Sequence, residues 1–170
     1  MCASHAPDPA RQAWLLDVAR RADPDPAGWR DRVRDALAWT DRDALEELAV
    51  TAMASGSSLP CLVALGERLM RAGGDAVPLL RDVQSRNPGD FWANFILGDA
   101  LREEQPAEAI RFYQAAQSLR PDAVVTYSNL GLALALDERL DDSIAEFEKA
   151  TQIDPTFAPA FVNLGNALQL

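Results

Sequence analysis

The chain has 170 residues, of which 48% are hydrophobic, and it carries a formal net charge of −10. This length and apolar content suffice for one compact domain or one short array of stacked helices. The acidic excess disfavours nucleic acid and anionic membrane as partners, because both bind basic surfaces.

The start of the sequence and the two cysteines indicate the compartment. The first residues, MCASHAPDPAR, lack the apolar core of a secretory signal, and no stretch approaches the ~20 apolar residues of a membrane span. Cys2 and Cys61 lie far apart and outside any CxxC or Cys/His ligand spacing, so neither a disulfide framework nor zinc is predicted. We therefore expect a soluble protein in a reducing, cytoplasmic setting.

The first part of the chain shows helical spacing but no repeat. We expect a flexible N-terminus at 1–10, and then three helices, one through Trp14, one through Trp29 and one from about Asp41. Together these helices would form an N-terminal cap at 11–58 that packs on the structure that follows.

The rest of the chain repeats itself. The segment VTYSNLG at 125–131 returns 34 residues later as PAFVNLG at 159–165, with an aromatic residue, Asn, Leu and Gly in register. Pro121 and Pro155 have the same spacing, and weaker copies of the pattern precede these two. A fixed period of this length is typical of stacked helix pairs.

Each mark of the repeat has a physical role. A glycine at the eighth position, without a Cβ, lets two helices approach closely, and a small residue at the twentieth position does the same from the facing helix. A proline closes the unit, because it cannot continue a helix. Asp90 and Asp122 are predicted to cap the helices that follow them. The marks are Gly66, Gly98, Gly131 and Gly165, then Ala76, Ala109 and Ser143, and then Pro88, Pro121 and Pro155.

This order of aromatic, Leu-Gly, large apolar, small, aromatic, Ala and Pro resembles the tetratricopeptide repeat (TPR). The resemblance implies an all-α, right-handed superhelical solenoid of antiparallel helix pairs behind the N-terminal cap. The array would span 59–170, with repeats at about 59–90, 91–123 and 124–157 and a half repeat at 158–170. The open last repeat would expose an apolar end, including Leu164, Leu168 and Leu170, which suggests self-assembly as one alternative function.

A second resemblance covers nearly the whole chain. The strings at 14–26, 29–35, 73–80 and 88–95 look like the region between the kinase domain and the TPR array of large bacterial serine/threonine kinases. The chain has no glycine-rich phosphate loop, no H-R-D and no D-F-G, so it does not transfer phosphoryl groups. The resemblance implies a regulatory or docking portion of such a kinase, or a paralogue that keeps only the repeats. The missing second helix of the last repeat favours truncation.

No catalytic, cofactor or metal site is predicted. The single histidine, His5, lies in the predicted flexible N-terminus, so nucleophilic catalysis would have no base on an ordered element. Calcium is disfavoured because the sequence has no D-x-D-x-D-G loop. We therefore expect a scaffold that binds a peptide or protein and is not an enzyme.

The TPR resemblance also implies a binding surface, because the first helix of each pair lines a concave groove in that family. The family's groove positions would be Val63 and Glu67 in the first repeat, and then Trp92, Phe95, Asp99, Arg102, Val125, Ser128, Asn129, Leu132, Val162, Asn163 and Asn166.

The chemistry of these residues leaves alternatives open. Asn129 and Asn163 resemble the asparagine ladder with which the TPR array of O-linked N-acetylglucosamine transferase holds peptide backbone, although Ala64 and Ile96 occupy that position in the earlier repeats. The cations that clamp a C-terminal carboxylate in other TPR proteins are largely missing. We predict a mixed apolar and polar groove for an extended or helical peptide. The alternative is that Trp92 or Phe95 is buried against the preceding repeat.

Overall fold

A computed structural model describes residues 17–18, 21, 41–54 and 57–169. From residue 41 onward the described residues form eight α-helices and no strand. No helix among them is both long and apolar enough to span a lipid bilayer. The helices are α1 (Arg42–Ala54), α2 (Leu59–Arg71), α3 (Val77–Arg86), α4 (Phe91–Leu101), α5 (Pro106–Leu119), α6 (Val124–Leu136), α7 (Leu140–Ile153) and α8 (Ala158–Ala167).

The helices stack in chain order. Each helix packs against its neighbours in sequence, and the first helices of adjacent pairs also touch, α2 with α4 and α6 with α8. A continuous buried core runs from Leu45 in α1 to Leu134 in α6. This confirms the predicted all-α solenoid of helix pairs, in which contacts are confined to near neighbours.

The repeated glycines lie where one helix crosses its partner most closely. A Cβ on Gly66 would lie 2.5 Å from the Leu80 side chain, and one on Gly131 would lie 2.5 Å from the Phe147 ring. Gly98 meets the Tyr113 ring in the same way, at 2.8 Å. The predicted role of these glycines is confirmed in the three complete helix pairs.

Small residues complete the same crossings from the second helices. Ala76, Ala109 and Ser143 are fully or almost fully buried. The Ser143 hydroxyl donates a hydrogen bond to the Gly131 carbonyl at 2.8 Å, so this buried polar group has a partner. At this helix crossing the facing backbone thus supplies the acceptor for the buried hydroxyl.

Of the two predicted helix caps, the one at Asp90 is confirmed and the one at Asp122 is not. Asp90 caps α4, because its carboxylate accepts the Ala93 N–H at 2.8 Å. The prediction for Asp122 is wrong, since the N-cap residue of α6 is Ala123, whose side chain makes no capping hydrogen bond. The cap position lies two residues after the closing proline, and Asp122 lies only one residue after Pro121.

A polar side chain near the start of a first helix closes the turn between repeats. Asn94 is fully buried and its amide donates to the carbonyls of Pro88 at 2.9 Å and Asp90 at 2.7 Å. The Tyr127 hydroxyl donates to the Pro121 carbonyl at 2.8 Å from the same position in the next repeat. These bonds pair the Pro88 and Pro121 carbonyls at the helix break, whereas the Asp90 carbonyl also accepts the Asn94 N–H.

The helix predicted from about Asp41 is α1. The Asp41 carboxylate accepts the Ala44 N–H at 3.1 Å, and Leu45 and Leu48 are buried in the shared core. The helices predicted around Trp14 and Trp29 lie outside the described residues, apart from helical residues 17, 18 and 21. The N-terminal cap as a whole therefore stays a prediction.

Candidate functional site

The first helices of the first two repeats, α2 and α4, line a cavity of about 600 Å³. This volume is within the usual range of ligand sites in proteins. We call it the α2–α4 cavity. Its lining residues are Pro60, Val63, Ala64, Glu67, Met70 and Arg71 from α2 and Trp92, Phe95, Ile96 and Asp99 from α4.

An aromatic cluster forms the α4 side of the cavity. The ring centroids of Phe91 and Trp92 are 5.1 Å apart, and those of Trp92 and Phe95 are 6.0 Å apart, both in edge-to-face geometry. The Arg120 guanidinium lies 4.5 Å from the Phe91 centroid and 5.7 Å from that of Trp92, close enough for cation–π attraction. Trp92 is thus held at the cavity by contacts within α4 and by a cation from the end of α5.

The two aromatic residues considered for burial against the preceding repeat differ in exposure. Phe95 is 6% exposed, and its centroid lies 5.9 Å from that of Tyr113. Trp92 is 46% exposed. Trp92 therefore offers accessible apolar surface, whereas Phe95 forms part of the packed wall.

A carboxylate lies beside this wall and connects three helices. The Tyr113 hydroxyl on α5 donates to Asp99 Oδ1 at 2.5 Å, and the Asn129 amide on α6 donates to the same oxygen at 2.8 Å. Arg102 Nη1 lies 3.7 Å from this oxygen. Asp99, Arg102 and Asn129, three of the residues predicted for the groove, therefore meet in one network.

Burial dominates the electrostatics of this carboxylate. It raises the pKa of Asp99 above the ordinary value, against the lowering effects of Tyr113, Arg102 and Asn129, and the negative charge of Glu67 on α2 raises that pKa further. Burial also raises the pKa of Tyr113, so its phenol stays protonated and keeps donating. The negative charge on Asp99 is thus incompletely compensated by the residues around it.

The second predicted asparagine also bonds within the solenoid. The Asn163 amide on α8 donates to the hydroxyl of the buried Ser128 on α6 at 3.1 Å. The Nδ2 groups of Asn129 and Asn163 therefore each join a first helix to the first helix of the preceding repeat.

The other residues predicted for the groove do not line the α2–α4 cavity. Val125 and Leu132 on α6 are half-buried. Val162 and Asn166 lie on α8 and are exposed. The structure thus brings together at the cavity five of the predicted residues, Val63, Glu67, Trp92, Phe95 and Asp99. Arg102 lies at the end of α4, and the remaining predicted residues lie along α6 and α8.

Some important neighbours of the site were not among the predicted site residues. Met70 and Arg71 lie on α2, the first helix of the first repeat, and the TPR resemblance already predicts that such helices line the groove. Tyr113 occupies a position that the repeat pattern assigns to the core, and nothing in that pattern indicates its bond to Asp99. Within the described ranges, no three His, Cys, Asp or Glu side chains come together as a metal site.

Comparisons with known proteins agree on the architecture. Residues 124–157 match the family described as Tetratricopeptide repeat. A peroxisomal targeting signal receptor from Candida albicans is 37% identical over 62 residues, which make up 36% of this chain and 10% of the receptor. The matched segment is therefore a small part of that relative.

Solved structures share the fold over most of the chain. YrrB, described as a TPR protein with an unusual peptide-binding site, aligns with a TM-score of 0.72 and 21% identity, covering 95% of this chain and 85% of YrrB. MamA aligns with a TM-score of 0.67 and 26% identity over 76% of this chain and 78% of MamA. MamA from Desulfovibrio magneticus RS-1 aligns with a TM-score of 0.68 and 23% identity over 92% and 83%. The chain is therefore an all-α TPR-type helical solenoid that contains a tetratricopeptide repeat at residues 124–157.

Proposed function

We propose that this protein is a non-catalytic interaction scaffold that binds a peptide or protein partner in its concave groove, with the α2–α4 cavity as the main anchoring site. The observation that carries this proposal is the exposed Trp92 beside a cavity of about 600 Å³. Tryptophan is over-represented among the residues that dominate binding energy at protein interfaces.

The lining suits one apolar anchor of a bound chain. Val63 on α2 and Ile96 on α4 form apolar walls of the cavity, and Trp92 adds exposed apolar surface. Burial of a side chain the size of leucine contributes about 1.5–3 kcal/mol. A peptide, extended or helical, would place one such side chain in the cavity and run along α6 and α8, where the polar groups of Asn129 and Asn166 lie.

The names of similar proteins agree with a binding role. YrrB is described as having a peptide-binding site, and the Candida albicans relative is a receptor for peroxisomal targeting signals. These descriptions belong to those proteins. They support peptide binding as the function of this chain without indicating its partner.

Selection from a phage-displayed library of random dodecapeptides tests the proposal. The selected peptides are titrated by fluorescence anisotropy against wild type, Trp92→Ala and the control Val50→Ala, which truncates an exposed apolar residue on α1. We expect Trp92→Ala to weaken binding about tenfold or more and Val50→Ala to leave it unchanged. Failure to select any peptide, or equal binding by wild type and Trp92→Ala, would contradict the proposal.

The open face of α8 favours self-assembly as a second candidate function. Phe161, Val162 and Leu168 are exposed, and a Cβ on Gly165 would meet no neighbouring side chain of the described residues within 4 Å. Sedimentation velocity at increasing concentration tests this candidate. Association that Val162→Glu abolishes would support it, whereas a monomer at every concentration would exclude it.

The kinase-associated origin and the cytoplasmic location both stay predictions. Two strings of the kinase resemblance, 14–26 and 29–35, lie almost entirely outside the described residues. Reading the gene immediately upstream tests the first prediction, because a catalytic domain with H-R-D and D-F-G motifs is expected there. An unrelated upstream gene would contradict it.

A further inference from the structure

Two carboxylates face the α2–α4 cavity from equivalent positions. Glu67 follows Gly66 and Asp99 follows Gly98, so both occupy the ninth position of their repeat. Both line the cavity. Leu132 and Asn166 occupy this position in the later repeats, which confines the paired carboxylates to one place in the groove.

The charge of Asp99 has few partners of its own. The Tyr113 and Asn129 donors both reach Oδ1, and no donor from the described residues reaches Oδ2. Arg102 is shared, because its Nε lies 3.2 Å from Glu103 Oε1 while its Nη1 lies 3.7 Å from Asp99. Burial still raises the pKa of Asp99. A further, positively charged hydrogen-bond donor would therefore be stabilised at this carboxylate.

The second carboxylate, that of Glu67, is available to a ligand. Glu67 accepts from Arg71 Nη2 at 2.6 Å, and the Arg71 side chain is 77% exposed. Exposed ion pairs of this kind contribute only about 0–1 kcal/mol, so a ligand can replace this one at little cost. The charged lining residues are two carboxylates and one guanidinium, which leaves the cavity with a net charge of −1.

The walls suit a long side chain with a charged end. Val63 and Ile96 form apolar walls of the cavity that Glu67 and Asp99 also line, and Trp92 adds exposed apolar surface. Lysine and arginine bury their methylene stems against apolar surface while the charged head contacts polar groups. An acidic side chain would instead place its charge against Glu67 and Asp99.

We propose that the α2–α4 cavity selects a basic side chain, arginine or lysine, of the bound peptide, whose charged head pairs with Glu67 and Asp99. This inference rests on the proposed peptide-binding function and specifies its ligand. The stem packs along Trp92 and Val63, and the head supplies the donors that Asp99 Oδ2 lacks.

Asp99→Asn is the informative variant, because it removes the charge and keeps the local structure. Both protein donors reach one oxygen of Asp99, and an amide oxygen accepts two hydrogen bonds. Asp141→Asn is the matched control, since Asp141 is an exposed carboxylate on α7. Circular dichroism confirms that both variants fold.

The experiment uses dodecapeptides selected on wild type, each with its basic residue retained or replaced by citrulline, the neutral analogue of arginine. We expect citrulline to weaken binding to wild type about tenfold or more, and Asp99→Asn to weaken binding of the basic peptide to a similar degree. The Asp99→Asn variant should bind the citrulline peptide only slightly more weakly than it binds the basic peptide, because the two changes remove the same interaction. Asp141→Asn should bind like wild type.

The outcomes separate this inference from the function on which it rests. Selected peptides that depend on Trp92 but lack a basic residue, or that bind wild type and Asp99→Asn equally, would overturn the inference and leave the proposed function standing. A library that yields no binding peptide would overturn both.

Discussion

Asn129 on α6 donates its amide to the Asp99 carboxylate on α4 at 2.8 Å, across 30 residues of sequence. The bond joins the first helices of two successive repeats on the side that carries the cavity. Tyr113 on α5 donates to the same oxygen, so one carboxylate fixes the relative position of three helices. The network that holds the solenoid together here also borders the proposed binding site.

The Asp99→Asn variant should change how stability depends on pH. Because burial raises the pKa of Asp99 above its ordinary 3.8, the folded protein takes up this proton more readily than the unfolded chain. The resulting stabilisation is full in acid and is lost as the pH rises through the folded pKa.

We therefore expect Asp99→Asn to have a free energy of unfolding at neutral pH equal to or above that of wild type, and to lose this relative advantage in acid. Urea unfolding at a series of pH values, followed by circular dichroism, measures the difference between the two proteins. A difference that does not change with pH would contradict the electrostatic account of Asp99.

Gly131→Ala and Gly165→Ala should have opposite effects on stability, although both glycines occupy the eighth position of a repeat. The new Cβ at 131 would lie 2.5 Å from the Phe147 ring, whereas no described residue outside the helix's own backbone lies within 4 Å of a Cβ at 165. Overpacking should destabilise Gly131→Ala by about 1–3 kcal/mol. Alanine in place of a helical glycine should stabilise Gly165→Ala by about 0.5–1 kcal/mol. Chemical denaturation of both variants measures this, and similar changes in the two would refute the close-approach role.

These glycines show how far the sequence predicts the fold. The helix pairs could be predicted from Gly66, Gly98, Gly131 and the closing prolines. The effect of each of these residues on the backbone is local and depends little on distant residues. The Asp122 cap failed because the exact first residue of a helix depends on the turn before it. The bond from Tyr113 to Asp99 depends on how the helices stack, which the spacing of residues does not specify.

The turn after α6 contains the one non-glycine residue with positive φ among the described residues. Glu138 has φ of 61°, and Gly73 has φ of 73° at the equivalent turn after α2. The Arg139 N–H donates to the Leu134 carbonyl at 2.9 Å, which closes the helix end in the manner of a Schellman motif. Side chains with a Cβ are disfavoured in this left-handed conformation.

Glu138→Gly should therefore raise the free energy of unfolding by about 1 kcal/mol, and Gly73→Ala should lower it by a similar amount. Thermal and urea unfolding of the two variants provide the measurement. Destabilisation by Glu138→Gly would mean that the Glu138 side chain contributes more than its backbone conformation costs.

Thr126→Val should stabilise the protein, because the Thr126 hydroxyl is buried with no hydrogen-bond partner among the described residues. Valine preserves the shape and removes an unpaired polar group whose burial costs about 1–3 kcal/mol. Thr151→Val is the control, since the Thr151 hydroxyl donates to the Glu148 carbonyl at 2.8 Å and that bond would be lost. Urea unfolding should rank Thr126→Val above wild type and Thr151→Val at or below it. The reverse order would indicate that the Thr126 hydroxyl finds a partner.

Chemical-shift mapping by nuclear magnetic resonance tests the central claim most directly. A selected dodecapeptide is titrated into the ¹⁵N-labelled full chain while the backbone amides are followed. We predict that the largest shifts fall on α2 and α4 around Val63, Glu67, Trp92 and Asp99, with smaller shifts along α6. Shifts concentrated on α3, α5 and α7, or on α8 alone, would contradict the assignment of the α2–α4 cavity as the binding site.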